Sequence, residues 1–475
     1  MPGLDTLPAG GFPAYSFKLV AGPPGSGKTT LAHQIMVALA SPERRALFFA
    51  VLGEPPREML RYQQKFSFFD VEKVGPAIGD VNLGETLRAG DFSGVLERIM
   101  AEVEEFSPAL VFVDSFRSVV QTAKPGIEGV SDVQYFIQEL GTRMTNWQAT
   151  TFLIGEYAQA DPEANPIMTV ADGMLSLSQA HEHSAVVRKL RVVKMRGRAH
   201  LAGSHNFRIT EDGLRTYPRI LPPLASDRHP GAAIESAPDR IPTGVPGLDA
   251  LMHGGLPRGH TMLVAGPTGA GKTIIATRFL EEGVRQGEKG VAMCFEKGSS
   301  RLRNAALAAM VQRGEVAVVE RRLIDLTFDE LIDELQSTLV RTGAKRLVID
   351  SLSEFGLYMA PEFHADLRQA VFRMLSVVAK LGVSALVTIG LDDDFTSLHF
   401  SQATISYLSD AIVALRYAEV DGRLGKFMSV VKVRGSAHST DLRGYRITDE
   451  GIEVDAEPTP VVGVLAGGGL RHAGV

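Results

Sequence analysis

Two stretches of this chain carry residue types that hold phosphate: Gly22-Pro23-Pro24-Gly25-Ser26-Gly27-Lys28-Thr29-Thr30 and Gly266-Pro267-Thr268-Gly269-Ala270-Gly271-Lys272-Thr273-Ile274. Both satisfy G-x-x-x-x-G-K-[ST], and both follow Leu-Val-Ala. In such a loop the glycines let successive backbone N–H groups turn inward around phosphate oxygens, and the helix that follows adds its positive N-terminus. The lysine then reaches the β and γ phosphates, and the hydroxyl of Thr29 or Thr273 ligates magnesium. One match is a modest signal. Two, each opening an apolar-periodic segment, describe a nucleotide-binding chain built twice.

Such a site needs an acid on the magnesium side, and Asp114 and Asp350 each end an apolar strand pattern, Leu110-Val111-Phe112-Val113-Asp114 and Leu347-Val348-Ile349-Asp350. Hydrolysis also needs a carboxylate near the γ phosphate to orient or deprotonate water. Glu296, after the strand that follows the second phosphate-loop helix, suits that role; in the first half only Glu54 stands in the corresponding turn. Two basic clusters remain, Lys194-Met195-Arg196-Gly197-Arg198-Ala199-His200 and Lys432-Val433-Arg434-Gly435-Ser436-Ala437-His438. A solvated turn is the usual fate of such a run. Strand alternation nonetheless puts Lys and Arg on one face, where they could meet phosphate oxygens as point charge and fork.

The elements that must position these residues repeat with them. The segment from Met1-Pro2-Gly3-Leu4-Asp5 to Gly22 matches that from Val245-Pro246-Gly247-Leu248-Asp249 to Gly266 without a gap, and the acids and basic clusters keep nearly the same spacing. The first copy lacks a counterpart of Ile241-Pro242-Thr243-Gly244, so its domain is trimmed or its true N-terminus is longer. In the first repeat the patterns predict strands at 17–21, 46–51, 109–113 and 150–154, with helices at 28–40, 56–65, 92–105 and 131–146. Apolar strands alternating with helical periodicity predict an α/β fold, a mostly parallel central sheet with helices on both faces. Segments 172–177, 186–193 and 207–209 read as an antiparallel extension. The domain plan is 1–219, a Pro/Ala-rich linker at 220–238, 239–456, and a flexible tail at 457–475.

Bulk composition narrows the class. The 475 residues exceed one core, and 45% hydrophobic with 22% charged is an ordinary globular balance. A net charge of −6 gives no global basic field and argues against a nucleic-acid partner. The single cysteine, Cys294, excludes an intramolecular disulfide and reads as a buried strand residue. Without a run of about 18 apolar residues or a signal peptide, the expectation is a cytoplasmic protein that does not enter a membrane.

The tandem plan, G-L-D followed by Gly-Gly, the paired phosphate loops, the strand ending in Asp-Ser and above all K-x-R-G-x-x-H in both halves resemble the KaiC family of RecA-superfamily ATPases. The resemblance implies two tandem RecA-like NTPase domains, ATP and Mg2+ as ligands, and a homo-hexameric double ring with ATP held between adjacent subunits. Within it, Lys194, Arg196 and His200, with Lys432, Arg434 and His438, match residues that reach the neighbour's nucleotide, and Arg188 and Lys426 match a further basic contact. The remaining cluster positions Met195, Arg198, Val433 and Ser436 go with them. The family pairs two glutamates where Glu54 and Glu296 each stand alone, so slow turnover is implied. It also implies autokinase activity in the second domain, with Ser406 at the serine acceptor position and Tyr407 where the family has threonine, and a clock or signalling protein as partner. Two readings from other classes stay open: a RecA/DnaB-type DNA-handling ATPase, and a scaffold that holds ATP in its first domain without turning it over.

Overall fold

The run Phe17-Lys18-Leu19-Val20-Ala21 buries all five residues, the lysine included. A strand buried on both faces belongs in the middle of a parallel sheet. A computed structural model places it there. Residues 1, 3–8, 10–51, 61–84, 86, 92–115, 127–156, 170–182, 185–219, 239–294, 304–319, 327–353, 364–391, 409–420, 422–459, 461–462 and 471–472 are described. The chain divides into two compact units, Met1–Arg219 and Ile220–Val475.

In the first unit the elements run β1 (Phe17–Ala21), α1 (Lys28–Leu39), β2 (Ala46–Ala50), β3 (Ile78–Asn82), α2 (Phe92–Phe106), β4 (Leu110–Asp114), α3 (Ile127–Asn146), β5 (Thr150–Gly155), β6 (Gly173–Glu182), β7 (Ala185–Met195), β8 (Ser204–Thr210) and β9 (Gly213–Tyr217). They form one nine-stranded sheet in the order β3-β2-β4-β5-β1-β6-β7-β8-β9. Pairing is parallel from β3 to β6 and antiparallel from β6 to β9. The chain leaves β1 toward one edge and passes from β5 across β1 to the other. Ligands of open α/β sheets bind where such connections diverge, beyond the carboxyl ends of the strands.

Alternation sorts the core into two layers. Phe17, Leu19 and Ala21 join Val111, Val113, Leu140 and Leu153 on one face, while Val20 joins Ile35, Phe48, Phe112 and Phe152 on the other. Each fully buried large apolar side chain contributes roughly 1.5–3 kcal/mol, so the strands carrying the phosphate loop and Asp114 are among the best-anchored parts of the unit. Most of the helix expected at 56–65 and the linker at 220–238 lie outside the described residues; the other expected elements recur with ends shifted by a residue or so, as hydrogen-bond assignment of termini allows. Three differences are larger. Helix α3 begins at Ile127 rather than 131, the antiparallel strands are longer than their apolar cores, and the strands β3 and β9 were not anticipated.

The second unit repeats the plan with β10 (Arg240–Ile241), α4 (Pro246–Leu251), β11 (Leu256–Pro257), β12 (Thr261–Gly266), α5 (Lys272–Arg285), β13 (Gly290–Cys294), α6 (Ala305–Gln312), β14 (Val316–Val319), α7 (Phe328–Thr342), β15 (Arg346–Asp350), α8 (His364–Lys380), β16 (Ser384–Gly390), β17 (Ala411–Val420), β18 (Arg423–Val433), β19 (Arg443–Thr448) and β20 (Gly451–Val454). Beside the short pair β10-β11, nine strands form one sheet in the order β14-β13-β15-β16-β12-β17-β18-β19-β20, the same topology as the first. A short pair, β21 (Val461–Val462) with β22 (Arg471–His472), follows. Cys294 ends β13, half-buried and not in a disulfide. Among the described residues no helix is long and apolar enough to cross a membrane.

Candidate active site

Each phosphate loop turns directly from its central strand into its helix because the residue before the lysine is left-handed: Gly27 has φ 94° and Gly271 has φ 93°. Any other L-residue there is strained. Gly22 answers a second need, since a Cβ at that position would lie 2.5 Å from the Leu177 carbonyl oxygen. Helices α1 and α5 thus point their unsatisfied N–H groups and positive ends at the loop, the arrangement that binds anions.

In the first unit Lys28 is buried and donates from Nζ to the Pro23 carbonyl at 2.8 Å. Burial lowers its pKa, opposed by the charges of Glu156 and then Asp114. The Thr29 hydroxyl donates to Asp114 Oδ2 at 2.7 Å. Burial raises the Asp114 pKa, the Thr29 hydrogen bond and Lys28 oppose it, and Glu156 pushes it further up. The hydroxyl and the carboxylate oxygen come from α1 and β4, and together they form a hard-oxygen pair. Magnesium takes few protein ligands beside phosphate and water, so this donor set fits it; among the described residues no cluster of three or more His, Cys, Asp or Glu offers a self-contained metal cage. Ser26 Oγ is buried without a hydrogen-bond partner among the described residues, a free donor inside the loop.

In the second unit Lys272 donates from Nζ to the carbonyls of Gly266 at 2.8 Å and Pro267 at 2.9 Å. Burial lowers its pKa against the opposing charge of Asp350. Here Asp350 Oδ1 accepts a short hydrogen bond from the Thr388 hydroxyl on β16, whereas in the first unit Asp114 is paired in the ladder with Ile154. The loops are also braced differently. Tyr417 and Tyr445 donate their hydroxyls to the carbonyls of Thr268, at 3.3 Å, and Ala270, at 2.6 Å. In the first unit Gln179 donates to the Pro24 carbonyl at 3.2 Å.

The basic clusters stand at the other end of the central strands. Asp172 binds the Phe17 amide through Oδ2 at 3.0 Å and Arg196 NH1 through Oδ1 at 3.2 Å. Asp410 does the same for the Thr261 amide at 3.1 Å and Arg434 NH1 at 3.1 Å. Burial and the neighbouring arginine lower the pKa of Lys194 and of Lys432. From Phe17 to Ala21 the strand rises about 13 Å at roughly 3.3 Å per residue, so neither cluster is beside its own phosphate loop. Arg198 donates to the carbonyls of Gly10 and Gly11, and Ser436 accepts from Arg240. Met195 and Val433 turn their side chains into their own cores and offer a ligand only backbone. Arg188 and Lys426 sit elsewhere, opposite Gln179 and Tyr417 in the ladder and so near their own loops.

Glu54, Glu296 and Ser406 lie outside the described residues. Sequence reading missed Glu156, Thr388, Gln179, Tyr417 and Tyr445. None carried a usable local signal; Glu156 merely follows an apolar strand, and its place between Asp114 and the loop comes from the sheet order.

The fold and these loops define a tandem α/β protein with two phosphate-loop nucleotide sites. The family model described as "ATPase: KaiC" matches residues 1–220 and again 241–459. The chain belongs to the KaiC family. It is 27% identical over 472 residues, covering 95% of this chain and 88% of the relative, to the circadian clock oscillator protein KaiC of Picosynechococcus sp.. It is 26% identical over 473 residues to circadian clock oscillator protein KaiC 1 of Synechocystis sp., covering 95% and 87%. With the KaiC protein of Thermostichus vulcanus it shares 25% over 484 residues, covering 98% and 90%.

Proposed function

We propose that this chain is a magnesium-dependent ATPase with two unlike sites, that it works as a homo-hexameric double ring with ATP between adjacent subunits, and that it acts as a timing or signalling switch through a protein partner. The observation that carries the reading is the duplicated pairing of a phosphate-loop lysine with a strand-end aspartate, the buried Lys28 with Asp114 and the half-buried Lys272 with Asp350. Lys28 and Lys272 hold the β and γ oxygens; the loop amides and helix ends neutralise the rest of the triphosphate charge. Thr29 with Asp114, and Thr273 with Asp350, would hold magnesium, which when bound draws charge from the transferring phosphoryl group. The spacing of Lys194-Arg196 and Lys432-Arg434 from their own loops supports a role on a neighbour's nucleotide, which makes assembly part of the site.

The closeness of Glu296 in sequence to the strand after the second phosphate-loop helix supports water activation there, and Glu54 stands in the corresponding turn of the first half. Resemblance of the Ser406 segment to the family's acceptor supports autophosphorylation of the second domain. Measurement of ATP hydrolysis and of particle mass, with and without Mg-ATP, tests the whole. Lys28→Ala and Lys272→Ala should each remove part of the hydrolysis, and peptide mass spectrometry after incubation should find phosphate on Ser406 only where Lys272 is intact. Two fully active lysine variants would refute hydrolysis at these loops; phosphate on Ser406 in Lys272→Ala would refute self-modification from the second site.

A further inference from the structure

We propose that Glu156 is a catalytic residue of the first site, the carboxylate that holds the attacking water and takes its proton. This rests on the reading of that site as an ATPase.

The position follows from the ladder. Strand β5 lies between β4 and β1. Asp114 on β4 is opposite Ile154, Ala21 on β1 is opposite Gly155, and the Gly22 amide donates to the Gly155 carbonyl at 3.3 Å. Glu156 is the next residue, so it emerges at the crevice between the acid of β4 and the loop of β1, half-buried. Both groups feel it. Its charge is the largest favouring the ammonium of Lys28, ahead of Asp114, and it acts on Asp114 as a like charge. A carboxylate close to the phosphate-gripping lysine and to the magnesium-side acid is where a water on the γ phosphate needs an acceptor.

The second unit shows that the fold does not require an acid there. Its ladder sets Ala265 opposite Ile389 and Gly266 opposite Gly390, and the Leu391 amide donates to the Gly266 carbonyl at 3.2 Å. At the position matching Glu156 the second unit has Gly390, followed by Leu391; residues 392–394, all aspartate, lie outside the described residues. Among the described residues the acid at that position stands in the first unit, where sequence offers only Glu54 in the family's glutamate turn.

In the step itself, the water oxygen bonds to the γ phosphorus as the bond from that phosphorus to the β–γ bridging oxygen breaks. The electron pair leaves on ADP, and the water proton passes to the Glu156 carboxylate. The products are ADP and inorganic phosphate, and the carboxyl returns its proton to solvent.

The test uses the full chain carrying Lys272→Ala, so that turnover reports the first site. Hydrolysis and binding of a fluorescent ATP analogue are measured for Glu156, Glu156→Gln and Glu156→Asp, with thermal unfolding as the folding control. Glu156→Gln should lower kcat by about 100-fold or more, the usual scale for a lost general base. Analogue affinity should hold or tighten, since a negative charge beside the phosphates is gone. Glu156→Asp should retain binding and lose part of kcat. Rate and affinity falling together would make Glu156 only the counter-ion of Lys28 and would overturn the proposal, as would a kcat within twofold of the parent or no hydrolysis in the Lys272→Ala parent. Failure of the unsubstituted chain to bind the analogue would overturn the ATPase reading as well.

Discussion

Replacing Lys18 by Met should stabilise the first unit, by an amount that shrinks as pH rises. Lys18 is 1% exposed at the centre of β1. Its ammonium donates to the Pro13 carbonyl at 2.8 Å and the Ser16 hydroxyl at 2.5 Å, and lies 5.0 Å from the Phe152 ring centroid. These contacts do not offset burial, which lowers the pKa to about 7 from 10.5; Asp172 opposes the shift and Arg44 adds to it. Above pH 10.5 neither the folded nor the unfolded lysine is protonated, and the residue carries no penalty. Between 10.5 and 7 the unfolded chain binds a proton that the folded chain refuses, so stability falls by about 1.4 kcal/mol per unit as pH drops. Below 7 the loss is complete and flat. The penalty is then about 4 kcal/mol at pH 7 and about 2 kcal/mol at pH 9. Methionine, which stands at the matching position as the fully buried Met262, escapes it but gives up two hydrogen bonds worth about 1 kcal/mol each. The net expectation is a gain of about 2 kcal/mol at pH 7 that vanishes near pH 9. Urea unfolding of both proteins from pH 6.5 to 9.5 measures the difference, with other titrating groups cancelling. A difference that does not vary with pH would refute the reasoning.

Arg346→Ala should destabilise the second unit by about 2–5 kcal/mol, because the buried side chain donates to Glu288 at 2.7 Å and to the carbonyls of Pro242 and Phe279 at 2.8 and 2.9 Å, and its removal leaves the two carbonyls without that donor and Glu288 with Arg258; unfolding monitored in each unit checks this. His33, buried and stacked 4.6 Å from Phe48, has its pKa lowered to about 4 by burial, partly opposed by its bond to the Thr29 carbonyl. Its ring resonances should therefore show no protonation down to pH 5. For the same reason stability should fall as pH drops from 6.5 toward 4, where the unfolded histidine gains a proton and the folded one does not; a His33→Phe protein should lack that part of the acid sensitivity.

The parts of the fold legible in the sequence are those whose signal is local. Phosphate loops, fully buried strands such as Phe17–Ala21 and their helices announce themselves within ten residues. Strand β3 does not: Ile-Gly-Asp-Val-Asn alternates burial at a sheet edge and carries as much polar as apolar character. At the site, Asp114 was readable because a strand pattern ends on it. Glu156 was not, because its meaning depends on β5 lying between β4 and β1, a neighbourhood set by chain crossing rather than by spacing. Gln179 and Tyr417 are equally non-local, since each reaches a loop some 150 residues earlier.

The unequal bracing of the two loops bears on how each receives its ligand. Tyr417 and Tyr445 pin two carbonyls of the second loop, and burial raises the Tyr445 pKa so that its hydroxyl stays a donor at any physiological pH. Among the described residues the first loop has one such tie, from Gln179. A loop already fixed at two points has less conformational freedom to surrender when phosphate arrives, so more of its contact energy is realised as affinity. The second loop is therefore the more constrained of the two, and an ATP analogue should bind the Lys28→Ala chain more tightly than the Lys272→Ala chain.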